Sequence, residues 1–139
     1  FPLSEPDAQT IYRFANPFGL ALSDDGATLW VADASTNSLN AVATNTGRWR
    51  RVARLGPVPN PTPNGPPVAD AVPTSVRIYG SQFLVSLLTG FPFAPGNSRV
   101  LAVNPDGSSE LFLAELNSAI DVLYRPRANE AAEFYVLEF

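Results

Sequence analysis

Short runs of apolar and β-branched residues recur along the chain, separated by turn-forming residues. The clearest set lies in the middle of the sequence, where β-prone runs cover residues 74–78, 82–88, 99–104 and 109–115. Tyr79-Gly80-Ser81 separates the first two runs and Pro105-Asp106-Gly107 the last two, and both tripeptides have the chemistry of tight turns. The pattern predicts four antiparallel strands, which is the content of one blade of a β-propeller.

The same pattern is found on both sides of this set. Before it, runs at residues 18–22, 28–33, 38–44 and 48–54 predict four more strands, with Asp24-Asp25-Gly26 as a tight turn between the first two. After it, residues 118–124 and 133–139 predict two strands of a third unit. Residues 8–15 predict one leading strand. No helix is predicted anywhere.

An internal repeat supports this division. The segment that begins at Asn16 aligns with the segments that begin at Val72 and at Leu116, at offsets of 56 and 44 residues, and a period near 44 is typical of a blade. We therefore expect an all-β chain, a single partial β-propeller domain over residues 1–139 with roughly two and a half four-stranded antiparallel blades. Its repeats cover residues 16–55, 72–115 and 116–139.

The connection between the first two repeats, residues 56–73, carries seven of the fourteen prolines. Proline fixes φ and lacks a backbone donor, so neither strand nor helix is expected in this segment. Because the predicted strands on both sides have the same pattern, the segment is interpreted as a long link between blades and not as a domain boundary.

Composition excludes several kinds of chemistry but identifies none. The chain has 139 residues, 45% of them hydrophobic and 16% charged, with a net charge of −4 and no lysine among its basic residues. It has no cysteine and no histidine, which removes thiolate chemistry and the serine–histidine type of catalytic triad. No apolar run approaches the roughly 20 residues of a membrane-spanning helix. The absence of methionine suggests a processed product or a piece of a longer chain.

Several stretches together resemble the ScyD/ScyE family of β-propeller proteins, which is related to NHL-repeat and gluconolactonase-like propellers. They are N-P-F-G-L-A-L, L-W-V-A-D, A-V-P-T-S-V, L-T-G-F-P-F, R-V-L-A-V-N-P-D-G, N-S-A-I-D-V and F-Y-V-L-E, spread over residues 16–138. The resemblance implies a propeller fold, a bacterial source and export to the periplasm or the extracellular space. It implies no established chemistry.

The two long connections are expected to emerge on the same side of the fold. In an antiparallel four-stranded unit, the loop after the second strand and the link after the fourth strand leave from one end. These are residues 89–98 and 56–73. We predict a ligand- or partner-binding surface there, with Thr89, Phe91, Phe93 and Asp121 as candidate contacts; the alternative is that the two phenylalanines pack against a neighbouring blade.

An alternative function is a metal-dependent hydrolase of the lactonase kind. Asp33, Asp121 and Glu138 are the candidate ligands of its divalent metal, and they would have to converge on one point. Gluconolactonase-like propellers place an asparagine ligand at the repeat position that is Phe18, Thr74 and Ser118 in this chain. The competing interpretation is that Asp33 accepts hydrogen bonds from backbone amides of the following turn.

Two further features favour structural interpretations. Arg48, Arg50, Arg51 and Arg54 surround Trp49, but in an acidic chain they are expected to protect an exposed strand edge and not to bind nucleic acid. The turns at Asp25 and Asp106 look like fragments of calcium loops and lack the remaining ligands.

The preferred function is therefore a non-enzymatic binding or scaffold module without a cofactor, whose partners are a protein or small molecule and the remaining blades of a longer propeller. The apolar strand at residues 134–139 is expected to leave an uncovered edge, so the isolated chain should associate or be marginally stable.

Overall fold

The computed structural model describes residues 15–128 and 131–139, and all regular structure in these residues is β. The predicted leading strand at residues 8–15 lies almost entirely outside the described residues. The described residues form twelve strands: β1 (Pro17–Leu22), β2 (Thr28–Asp33), β3 (Ser38–Ala43), β4 (Trp49–Arg54), β5 (Val58–Pro59), β6 (Val68–Ala69), β7 (Pro73–Tyr79), β8 (Gln82–Leu87), β9 (Ser98–Val103), β10 (Ser109–Leu116), β11 (Ala119–Arg125) and β12 (Glu133–Glu138). The ten strands predicted in these residues are confirmed, and every bound lies within one residue of the predicted one.

The strands form two four-stranded antiparallel sheets and two ribbons. The first sheet has the order β1-β2-β3-β4 and the second the order β7-β8-β9-β10; β11 pairs with β12 and β5 with β6. Each four-stranded sheet is a meander, because every strand pairs with its neighbours in sequence. The described sheets do not close into a ring.

The prediction of no strand within residues 56–73 is wrong, because β5 and β6 form a two-residue antiparallel ladder in that segment. Proline is compatible with this ladder because the ladder is short and Pro59 lies at its exposed end, where it need not donate to a further strand. We call residues 58–69 the proline hairpin.

The three repeats share a β-bulge in their first strands. The register shifts between Pro17 and Gly19 in β1, between Pro73 and Ser75 in β7, and between Ala119 and Asp121 in β11. Pro17, Pro73 and Ala119 therefore occupy one repeat position. The sequence alignment of the third repeat, which paired Leu116 with Val72, is wrong by two residues, because β10 extends to Leu116 and Ser118 is the residue equivalent to Val72.

The core lies between the sheets. Residues of β2, β3 and β4 pack against β7, β8 and β9, with the Trp30 and Phe83 rings 4.3 Å apart between centroids. A second, smaller cluster joins the other face of β8 and β9 to the β11–β12 ribbon, around Leu84, Val100 and Val122. The second sheet is thus covered on both faces, which is why β8 is almost entirely buried.

The first strands of the repeats lie side by side, since β7 contacts both β1 and β11. A Cβ atom placed on Gly19 would lie 2.5 Å from the Cα atom of Ser75, so β1 and β7 touch through their backbones. On the other side of β7, the Thr74 hydroxyl donates to the Ala119 carbonyl at 3.0 Å. Ser98, the first residue of β9, also links the second sheet to β11, because its hydroxyl donates to Leu87 O at 2.5 Å and accepts from Ala119 N at 2.7 Å.

Candidate functional site

The two long connections meet at one end of the fold. The loop between β8 and β9, residues 88–97, is called the aromatic loop here. The Asn97 side chain donates to Pro59 O in the proline hairpin at 3.1 Å. Just beyond the hairpin, Gly90 N donates to Asp70 O at 2.8 Å and Thr89 N to Ala71 O at 3.1 Å. The expectation that these two connections emerge on the same side of the fold is confirmed.

Asn60 organises the proline hairpin. Its amide nitrogen donates to Asn64 O at 2.7 Å and to Pro66 O at 2.8 Å, and its amide oxygen accepts from the backbone and the hydroxyl of Thr62, both at 2.9 Å. One side chain therefore supplies the hydrogen-bond partners that the prolines cannot supply. The hairpin is a surface loop held by its own hydrogen bonds and not an irregular linker.

Phe91 and Phe93 are the apolar side chains that the aromatic loop exposes. They are 59% and 54% exposed, and their ring centroids lie 6.5 Å apart in an edge-to-face arrangement. Phe91 also lies against the hairpin: a Cβ atom on Gly65 would be 2.7 Å from its ring carbon Cε1. Phe91 thus packs on the proline hairpin with one side and faces solvent with the other.

Thr89 has a different position from the phenylalanines. It is 1% exposed, and its backbone has a φ of 63°. Its side chain is not available to a partner in this structure, so its contribution is to fix the start of the aromatic loop through its backbone hydrogen bond.

Asn37 is a residue of this surface that the sequence patterns missed. It follows β2 in a polar connection, with a φ of 46°. Its amide nitrogen donates to Asp70 Oδ1 at 3.1 Å, and its oxygen accepts from Val72 N at 2.9 Å. Val72 itself has a φ of 50°, which is rare for a β-branched residue, so Asn37 holds a strained part of the link. Asparagine in a polar turn was the available signal, since asparagine tolerates this conformation.

The three candidate carboxylates do not form a cluster. Among the described residues, no group of three histidine, cysteine, aspartate or glutamate side chains is placed to hold a metal ion. Asp33 is buried and accepts hydrogen bonds from Asn16 N and Ser35 N, both at 3.0 Å, as its structural interpretation predicted. Glu138 accepts from Asn117 N at 2.6 Å. The convergence that the lactonase alternative requires is not met in this part of the chain.

Asp121 lies in a separate cleft between the first strands. Its carboxylate accepts from the Arg77 guanidinium at 2.5 Å, and the two side chains are 40% and 35% exposed. Phe18 and Leu20 of β1 line the same cleft, whose volume is about 240 Å³. Asp121 therefore does not join Phe91 and Phe93 in one surface, and its charge is already paired.

The aspartates of the two tight turns act on their own turns. Asp25 accepts from the Ser23 hydroxyl at 2.6 Å and from Ala27 N at 2.9 Å. Asp106 accepts from Ser108 in the same way, at 2.6 Å from its hydroxyl and 2.9 Å from its amide. These bonds, led by the serine hydroxyl in each case, lower the pKa of both carboxyls below the ordinary value of 3.8.

Comparison with known proteins gives no family assignment: no protein-family model matches the chain, and no curated protein matches it significantly. In the described residues, no helix is long and apolar enough to cross a membrane.

Proposed function

We propose that the chain is part of a β-propeller protein of the ScyD/ScyE kind. Three observations support this: the repeats share a bulge position, their first strands lie side by side, and the two four-stranded sheets pack face to face. Blades of a propeller are meanders arranged around an axis with the first strand of each nearest to it. Export to the periplasm or the extracellular space belongs to the same proposal. Fractionation of source cells, with immunodetection of the untagged protein, tests it.

Within that protein, we propose that the chain acts as a non-enzymatic binding module, through the surface formed by the aromatic loop and the proline hairpin. The observation that carries the proposal is the presentation of Phe91 and Phe93. Two large apolar side chains are more than half exposed on a loop whose backbone is fixed by hydrogen bonds to the link beside it. Exposed aromatic side chains on a pre-organised backbone are the groups that supply most binding energy at interfaces, because little conformational entropy is lost when they are covered.

Site-specific crosslinking tests this proposal. A photoreactive benzoylphenylalanine replaces Phe91 in one variant and Leu111 in the control, since Leu111 is equally exposed at 57% but lies on β10. Irradiation in an extract of the source organism should give a discrete crosslinked product from position 91 and none from position 111. The product, once identified and purified, should bind the wild-type chain at least tenfold more tightly than Phe91→Ala/Phe93→Ala.

The double variant should keep the circular dichroism spectrum and the melting temperature of the wild type, because both side chains are largely exposed already. Equal crosslinking at both positions would contradict the proposal. So would equal affinity of the purified partner for the wild type and a folded double variant.

A further inference from the structure

A block of positive charge lies at the opposite end of the first sheet from the aromatic loop. Arg48, Arg50 and Arg51 form this block and are exposed at or beside the start of β4, whereas Arg54 is exposed at the far end of the strand. None of their side chains has an ion pair or hydrogen bond to any of the residues 15–128 and 131–139. The chain as a whole has a net charge of −4, yet no aspartate or glutamate occurs between Asp33 and Asp70. These arginine side chains are therefore unpaired in the described part of the chain, although the Asp24-Asp25 turn lies at the same end of the sheet, where the Thr44 hydroxyl donates to Gly26 O at 2.8 Å.

A cleft adjoins this block on one face of the sheet. Arg50 lies opposite Ala41, and Ala41 lies opposite Trp30, so all three side chains share one face. Together with Ala43, Arg48 and Trp49 they line a cleft of about 230 Å³. Ala41 and Ala43 form the shallow apolar base of the cleft. Trp30 lines one side of it, and its ring packs against the ring of Phe83. Two unpaired guanidinium groups thus stand beside an apolar recess.

The backbone of β4 is also available there. Within the described residues, β4 pairs with β3 and with no other strand, so its outer edge carries unpaired backbone groups. The free stretch is short, because a Cβ atom on Gly107 would be 2.5 Å from Val52 O and the β9–β10 turn therefore covers that position. The accessible part comprises residues 48–51.

The side-chain spacing of this stretch matches that of another extended chain. Alternate residues of a strand lie about 6.6 Å apart on one face, so Arg48 and Arg50 face carboxylates at alternate positions of a neighbouring strand. A second copy of β4 would instead place arginine against arginine, which is unfavourable. The charge pattern therefore disfavours pairing of β4 with a second copy of β4 and favours pairing with an acidic strand.

We propose that residues 48–51 bind an acidic peptide segment of a partner protein in extended conformation, added as a strand to the edge of β4. Carboxylates at alternate positions of the segment meet Arg48 and Arg50, and the apolar residue between them packs against Trp49, which is 43% exposed. The backbone hydrogen bonds of the added strand provide affinity, and the charge pattern provides selectivity. A short peptide fits better than a nucleic acid, because a chain with a net charge of −4 repels a long phosphate backbone.

Tryptophan fluorescence measures this binding directly, because the two tryptophans of the chain both line the cleft. The probe is a capped eight-residue peptide of alternating glutamate and valine. The comparison probes are the same peptide with lysine for glutamate, the same peptide with N-methylated amides on one edge, and a single-stranded oligothymidine of equal charge. The acidic peptide should change the emission saturably, and the lysine and N-methylated peptides should not.

Arg50→Glu should weaken binding of the acidic peptide by at least about tenfold, since it replaces an attraction by a repulsion. Arg125→Glu is the control for net charge, because it makes the same change in net charge at an exposed site on the β11–β12 ribbon, where it also removes an ion pair with Glu133; it should alter the affinity less than twofold. Arg50 is exposed, so the circular dichroism spectrum should stay that of the wild type.

Several outcomes would overturn the proposal. Equal losses in Arg50→Glu and Arg125→Glu, or undiminished binding of the N-methylated peptide, would mean that only net charge acts and that no strand is added. Tighter binding of oligothymidine than of the acidic peptide would point to nucleic acid. No emission change at millimolar acidic peptide would mean that the edge of β4 is only a charged surface.

Discussion

Gly19 and Ser75 show how a single position fixes the distance between two repeats. The Cβ atom that Gly19 lacks would lie 2.5 Å from Ser75 Cα and 2.6 Å from Thr74 O, and both atoms belong to the backbone of β7. Backbone atoms cannot swing aside as the end of a flexible side chain can. The close contact of β1 with β7 therefore depends on glycine at this position.

Gly19→Ala should lower the free energy of unfolding by about 1–3 kcal/mol, the usual cost of forcing an extra methyl group into a packed site. Gly56→Ala is the control, because nothing lies within 4 Å of a Cβ atom there. Urea denaturation of the two variants measures the difference. An equal effect of both substitutions would mean that β1 and β7 are not in close contact.

Asp25 provides a test of the turn chemistry. The Ser23 hydroxyl is the main cause of its lowered pKa, followed by the amide of Ala27. Ser23→Ala should therefore raise the pKa of Asp25 towards 3.8 and leave the pKa of Asp106 unchanged, as carboxyl carbon shifts in an NMR titration would record. Because the pKa is lower in the folded state, the stabilisation from Asp25 is present above pH 3.8 and is lost as the pH falls through the folded-state pKa. No change in the Asp25 titration would contradict this assignment.

At the scale of elements, the strands were predictable because each is a short β-prone run closed by turn residues. Particular residues also explain the predictions that were wrong. Proline density concealed the β5–β6 ladder, which depends on the four hydrogen bonds of the Asn60 side chain. The third repeat was misaligned because the length of β10 beyond its turn is not visible in the pattern. The convergence of the aromatic loop and the hairpin was predictable from strand direction. For Asn37, the polar turn signals only the backbone conformation; its bonds to Asp70 and Val72 are long-range and leave no local signal.

The β11–β12 ribbon has one covered and one uncovered face. Val122 and Val136 pack towards the second sheet. Leu123, Tyr135 and Leu137, on the other face, are 56%, 49% and 58% exposed. The edge of β12 has no partner among the described residues, so an apolar surface and an open edge coincide.

We expect this face to cause self-association of the isolated chain, in line with the sequence-based expectation. Sedimentation velocity at rising concentration should show species larger than 14.9 kDa. Leu123→Lys/Leu137→Lys should shift them towards the monomer, because charge at these positions opposes burial of the face. The control is Leu111→Lys, on β10. A wild-type chain that stays monomeric at all concentrations would remove this expectation.

In the whole molecule, the three repeats pack through their first strands, with the second sheet between the first sheet and the ribbon. This arrangement determines which loops emerge together, and so it underlies both proposed surfaces. The aromatic loop and the proline hairpin lie at one end of the sheets. The accessible edge of β4 begins after the turn at Gly47, at the other end.

The most direct measurement of this claim is a set of proton–proton NOEs in the isotope-labelled chain. We expect an NOE between the α-protons of Gly19 and Ser75, which joins β1 to β7, and NOEs from the Thr74 side chain to Ala119, which join β7 to β11. Cross-strand NOEs of β1–β2 and β7–β8 serve as internal controls. If the control NOEs appear and both inter-repeat sets are absent, the sheets form but do not pack through their first strands, and the account is contradicted.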